Sequence, residues 1–132
     1  MAVYVEPSAV GFEGADLSGL SAPLMTNLRG TSFRDATLYW ANLSGSDFSG
    51  CNFEGANLAG ANLRDAKLVG ANLRSAFLGL DNLGGPTRLQ GADLSDAALE
   101  DATLKGAEYD AKTKFPHGFS PTQAGMVHTD AT

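Results

Sequence analysis

The chain has 132 residues, with nine basic side chains against 15 acidic ones and a formal net charge of −6. That length suits one domain, and that charge argues against a nucleic-acid binder held by phosphate contacts. Twenty Ala, 17 Leu and 16 Gly stand beside 5 Val and no Ile, which excludes an ordinary β-sandwich and an ordinary helical bundle.

At the N-terminus, Met1 to Val10 lack the basic stretch and apolar core of a secretion signal. With no run of 18 apolar residues and a single Cys, nothing in the sequence asks for a membrane or an oxidising compartment, and a cytoplasmic protein is expected. Residues 1–9, with Val3, Tyr4 and Val5, are expected to form a short covering segment.

From residue 10 to 111 an internal repeat dominates. Stepping by five from Leu28 meets Phe33, Leu38, Leu43, Phe48, Phe53, Leu58, Leu63, Leu68, Leu73, Leu78 and Leu83. A second run holds Leu89, Leu94, Leu99, Leu104 and Tyr109, and a short first one holds Phe12 and Leu17. All 19 centres are apolar, and two residues before each the side chain is small in 17 cases, the exceptions being Val10 and Asp81. The residue between is often Asn or Asp, and Gly is frequent two residues after the centre.

Period five suits neither regular element. On an α-helix it advances about 500°, so successive centres precess around the axis. On a flat strand an odd step sends them to opposite faces. The pattern is consistent when the chain turns a quarter-circle every five residues, so that four pentapeptides make one coil of a square solenoid. Centres and small residues then point into a narrow bore, and the other three positions face water. About five coils at roughly 4.8 Å each make a rod on the order of 25 Å long.

The Ala-(Asn/Asp)-Leu runs at 41–45, 56–60, 61–65, 71–75 and 92–96 resemble the pentapeptide-repeat proteins. The resemblance covers about 100 residues and implies an all-β fold, a right-handed quadrilateral β-helix. The tail from Tyr109 to Met126 is similar to the C-terminal cap of cyanobacterial members.

Register breaks are expected near 18–27 and 84–88, the second at Gly84-Gly85-Pro86-Thr87-Arg88, a bulged turn. Asp81 occupies a nominally inward position, where an unpaired carboxylate is costly. It is expected either to accept hydrogen bonds from amides of the bulge or to swing into solvent. Phe12, Phe33 and Phe53 line up as an aromatic ladder continued by Leu73 and Leu94. Cys51 falls with Thr31, Ala71 and Ala92 and reads as a small buried hydrophobe. Residues 112–132 are expected to cap the last coil, with Phe115 and Phe119 over the core and a short helical turn from Ser120-Pro121 to Gly125.

No catalytic, cofactor or metal signature accompanies the repeat. His117 and His128 have no partners at ligand spacing, and neither a phosphate loop nor a nucleophile elbow is present. Some pentapeptide-repeat proteins resemble DNA in shape and charge and bind gyrase, so the acidity invites a DNA-mimic regulator as the alternative function. The distribution of charge opposes it: residues 26–90 carry six basic and five acidic side chains, while 1–25 give −3 and 91–132 give −4. The leading expectation is a non-enzymatic scaffold or adaptor that binds a protein through one flat face, as a monomer or a weak dimer through a coil end. Tyr39, Trp40, Phe77 and Leu80 form an outward apolar group around Asn57, Ala59 and Gly60. Three readings of that group stand open: a partner-binding patch, a surface covered by the tail or the N-terminal segment, or a mere scatter of exposed apolar residues.

Overall fold

The computed structural model describes residues 11–21 and 27–129. Through them the backbone climbs as a four-sided parallel coil whose rungs are short bridges rather than long strands. The first face stacks Gly11, Ser32, Asn52, Asn72 and Ala98, and the second stacks Asp16, Thr37, Asn57, Phe77 and Thr103. The third runs through Ser21, Asn42, Asn62 and Arg88 into β1 (Glu108–Tyr109), against which β2 (Val127–His128) pairs in parallel. The fourth holds Asn27, Asp47, Lys67, Asp93 and Lys114.

Each letter of the repeat has a backbone task. The amide three residues after a centre donates to the centre's carbonyl, as from Ala36 to Phe33 at 3.0 Å and from Ala56 to Phe53 at 2.9 Å. Such a corner places its third residue in the left-handed region, where Gly is favoured and Asp tolerated. Gly50 (φ 70°) and Asp65 (φ 60°) occupy it. The Asn before the centre closes a side-chain turn: Asn52, Asn62 and Asn72 accept from the amides of Glu54, Arg64 and Arg74 at 2.9, 3.1 and 3.1 Å. Between rungs the main chain bonds in both directions, Phe33 donating to Asn52 at 2.6 Å and Asn52 to Thr31 at 3.1 Å.

The bore is filled by side chains, with Leu63, Leu73, Leu78 and their Ala neighbours at 0–1% exposure. Phe33 stacks between Phe12 and Phe53, with ring centroids 5.4 and 4.9 Å away. The ladder continues through Leu73 to Leu99, not to Leu94 as the spacing suggested. Asn72 bridges Ala98, whereas Asp93 bridges Lys67 and so puts Leu94 above Leu68 on the fourth face. For the same reason the column of Thr31, Cys51 and Ala71 is followed by Ala97 rather than Ala92.

The cause is one excursion. Ser32, Asn52 and Asn72 climb in steps of 20, but the step from Asn72 to Ala98 is 26. The extra residues leave the rod between Leu78 and Leu89, both fully buried, and Leu83 lies outside at 86% exposure. Leu83 is therefore not a centre. Placing it in the bore would carry the Asp81 carboxylate in beside it, and burying that charge costs more than a Leu side chain returns.

At the C-terminal end Tyr109 meets Phe115 edge-on at 5.5 Å, and Phe119 stacks on Phe115 at 5.1 Å. Met126 is buried in the core cluster against which these rings pack. The expected helical turn is a run of turns instead, and no helix occurs among the described residues. Ala124 donates to Ser120 at 3.1 Å, Gly125 to Thr122 at 3.1 Å and Met126 to Pro121 at 3.0 Å, so a single bond has α-helical spacing. Gly125, at φ 79°, stops the segment there. The expected covering segment at 1–9 lies outside the described residues, as does 22–26 within the first break. No helix of the described chain is long and apolar enough to cross a membrane.

Candidate functional site

The second face carries the apolar group. Its middle rungs stack Thr37, Asn57 and Phe77, which brings Tyr39, Ala59 and Leu80 alongside. Tyr39, Asn57, Ala59, Phe77, Leu80, Asp81 and Asn82 line an open depression of about 360 Å³. Asn57 donates to the Tyr39 hydroxyl at 3.0 Å, which fixes the phenol along the rim. Trp40, Phe77 and Leu80 keep 52%, 36% and 44% of their surface in solvent. Val127–His128 pair along β1 on the third face, and none of the described C-terminal residues lines the depression.

Trp40 sits at the corner position two residues after Leu38, with φ 57°. Among the described residues the other left-handed ones are Gly, four Asp and one Ser, all small or able to bond their own backbone. A bulky side chain there is strained. Its indole N–H donates to Asp81 at 2.8 Å, two coils away, and its ring lies 5.6 Å from Tyr39. The indole crosses Gly60, where an added Cβ would stand 2.7 Å from the ring and 2.8 Å from the Asp81 carboxylate.

Asp81 holds the excursion together. Its Oδ1 accepts from the amides of Leu83 at 2.8 Å and Gly85 at 2.6 Å, while its other oxygen takes the Trp40 N–H. These bonds, that from Gly85 foremost and that from Trp40 next, hold the carboxyl below its ordinary value. The expected amide bonds of Asp81 are thus formed. The bond to Trp40 was missed, though Asp81 lies two coils and one residue beyond it and the pairing was open to arithmetic.

The flanking surfaces are ordered by charge. Glu13, Arg34, Glu54, Arg74 and Glu100 each follow a centre of the first face, so sign alternates rung by rung. Arg34 pairs with Glu54 and Arg74 with Glu100, both at 3.2 Å. On the fourth face Asp47, Lys67, Asp93 and Lys114 alternate likewise. The Asp93 carboxyl is held low first by the Ser95 hydroxyl, against burial, and then by the Lys114 and Lys67 charges. Cross-rung pairs of this kind neutralise the sides of the rod.

A family model for pentapeptide repeats matches residues 25–50 and 46–79, with 8 copies. HetL, a pentapeptide repeat protein involved in heterocyst differentiation regulation from the cyanobacterium Nostoc sp. strain PCC 7120, is 39% identical, with a TM-score of 0.63. The chain belongs to the pentapeptide-repeat family. The match to HetL covers 70% of this chain, which spans 40% of the HetL chain. The pentapeptide repeat protein alr5209 from Nostoc PCC 7120 is 29% identical over 90% of this chain and 84% of its own, with a TM-score of 0.46. No curated protein matches.

Pentapeptide-repeat proteins fold as right-handed quadrilateral β-helices and are generally non-enzymatic. Among the described residues of this one, no group of three or more His, Cys, Asp or Glu is placed to hold a metal. His128 meets Tyr109 edge-on at 5.0 Å, and His117 lines a second depression with Leu99 and Phe119. The Cys51 thiol is buried, donates to the Leu28 carbonyl at 2.9 Å, and is pushed by burial up to about 12. A thiol so protonated is no nucleophile.

Proposed function

We propose that this pentapeptide-repeat protein is a non-enzymatic cytoplasmic scaffold that binds another protein through its second face, at Tyr39, Trp40, Phe77 and Leu80. The observation that carries the proposal is Trp40. A half-exposed indole occupies a corner where Gly avoids strain, and strain of that kind gathers at functional positions. Trp and Tyr are also the residues on which binding energy concentrates. Small neighbours leave a depression beside them into which a partner side chain fits. The alternating charges on the adjoining faces support this reading over a duplex mimic, which needs about one negative charge per 1.7 Å.

The test is affinity capture from a host-cell extract with the wild type and with Trp40→Ala/Phe77→Ala. Neither side chain lies in the bore, so the variant is expected to retain its coil, checked by its denaturation midpoint. A specific protein retained by the wild type and lost by the variant is the expected result. Equal capture by both removes the second face from the function.

A further inference from the structure

The second face is also the acidic side of the rod. Among the described residues, the face, its two flanking corner columns and the excursion carry Asp16, Asp35, Asp81 and Asp101 against a single base, Lys105. On the first and fourth faces, by contrast, bases answer acids rung by rung. Two of the four carboxylates stand at the depression. Asp35 folds over Gly55, where an added Cβ would strike its carboxylate, and Asp81 stands over Gly60 in the same way. Gly55 and Gly60 are the two left-handed corners of the third rung, so the carboxylates bracket Asn57 and Ala59 from opposite sides.

Along the rod the walls are aromatic. Tyr39 belongs to the second rung and Phe77 to the fourth, about 10 Å apart, with the small Ala59 between them. The Phe77 ring leans over Gly79, where an added Cβ would stand 3.0 Å from Cζ, and Asn57 ties down the Tyr39 hydroxyl. The nearby bases are engaged elsewhere. Arg34, 3.5 Å from Asp35, also pairs with Glu54 at 3.2 Å, and Arg88 lies 4.0 Å from Glu108. Asp81 gives Oδ1 to two amides and one lone pair of its other oxygen to Trp40, which leaves one acceptor site at the depression.

Resting on the reading of this face as protein-binding, we propose that the partner presents a basic segment, anchored by one arginine in this depression. Its stem passes over Ala59 between the two rings. The guanidinium stacks against an aromatic face and donates to the remaining acceptor of Asp81, with the Asp35 charge at the opposite corner. A guanidinium suits the place better than an ammonium, because it is planar, stacks on rings and is more weakly hydrated. An apolar partner surface would cover Asp81 and leave that acceptor unpaired, which desolvation penalises. The acidity of the whole face then draws a basic segment in and fixes its register.

The test is an NMR titration of the isotope-labelled full chain with Nα-acetyl-arginine methylamide at constant ionic strength. It is read on the indole N–H of Trp40, the sole Trp. Donation to Asp81 beside it is expected to move that resonance saturably, with half-saturation on the order of 10 mM. The neutral isostere, Nα-acetyl-citrulline methylamide, is expected to bind at least about fivefold more weakly. Phe77→Leu keeps the apolar bulk and Asp35→Asn keeps the corner, and each is expected to weaken arginine about threefold. Both leave the Trp40–Asp81 bond in place, and unchanged denaturation midpoints confirm folding. A resonance that stays still, or moves equally for citrulline, overturns the proposal. So does arginine binding indifferent to either variant, or matched by Nα-acetyl-lysine methylamide. Capture that depends on Trp40 and Phe77, while arginine leaves the indole unmoved, removes the arginine anchor and leaves the binding face standing. Capture indifferent to those two residues removes the face itself.

Discussion

The coils from Asn27 to Leu78 and the excursion from Gly79 to Thr87 meet the same requirement by opposite means. In the coils successive rungs are bonded to one another by main chain, and side chains need only be the right size. In the excursion the ladder is interrupted, and side chains take over the backbone's partners. Asp81 receives two amides and the Trp40 indole. The buried Thr87 hydroxyl lies 2.9 Å from the carbonyls of both Leu58 and Gly79. A solenoid thus tolerates a long insertion where a few polar residues replace the lost ladder, because unpaired buried backbone is what it cannot tolerate. The excursion also borders the depression, so the least regular segment shapes the apolar surface.

The largest expected effect separates two residues five apart in one register. Leu78→Ala empties a closed site and should cost about 2–5 kcal/mol in urea denaturation. Leu83→Ala removes a side chain that is 86% exposed and should change stability by less than about 0.5 kcal/mol. Equal costs would mean that Leu83 is packed in solution and that the excursion is not outside the rod.

Acid distinguishes the regions next. The Asp81 carboxyl sits below its ordinary value. Its contribution is therefore complete above the unfolded value, about 3.9, and is lost as pH falls through its own lower one. Trp40 emission should shift below about pH 4 while Cys51 in the coils stays closed to a pyridyl disulfide. Asp81→Ala should show the acid emission already at neutral pH. If Cys51 opens in step with the Trp40 change, the excursion and the coils are one cooperative unit.

The coil was legible because its constraint is local and repeated: one apolar centre, one small neighbour and one left-handed corner per five residues. Asp81 even marked the failed register as one of two exceptions in the small column. What could not be read was the size of the failure. Leu83 satisfies the apolar rule, and only the cost of burying Asp81 against the flexibility of Gly84 and Gly85 decides that the chain skips it. Leu94 was misplaced in consequence, since every column after the excursion shifts by one face. At the candidate site Tyr39, Trp40, Phe77 and Leu80 lay near one another by counting. The strain at Trp40 and its bond to Asp81 depend on backbone angles and on a loop path that no period encodes.

The smallest effect tests that strain. Ser75 and Trp40 occupy equivalent corners, at φ 59° and 57°. Ser75→Gly relieves about 1–2 kcal/mol of left-handed strain and loses about 0.5–1 kcal/mol to the freer unfolded chain, for a net gain near 0.5 kcal/mol. Trp40→Gly relieves the same strain but also removes the Asp81 bond and the Tyr39 contact. It should therefore gain nothing or lose stability. If denaturation midpoints rise equally for both, the indole contributes nothing to the folded coil. Its position would then be explained by binding alone. A loss confined to Trp40→Gly instead assigns the indole two tasks, holding the excursion against the coil and presenting its exposed edge.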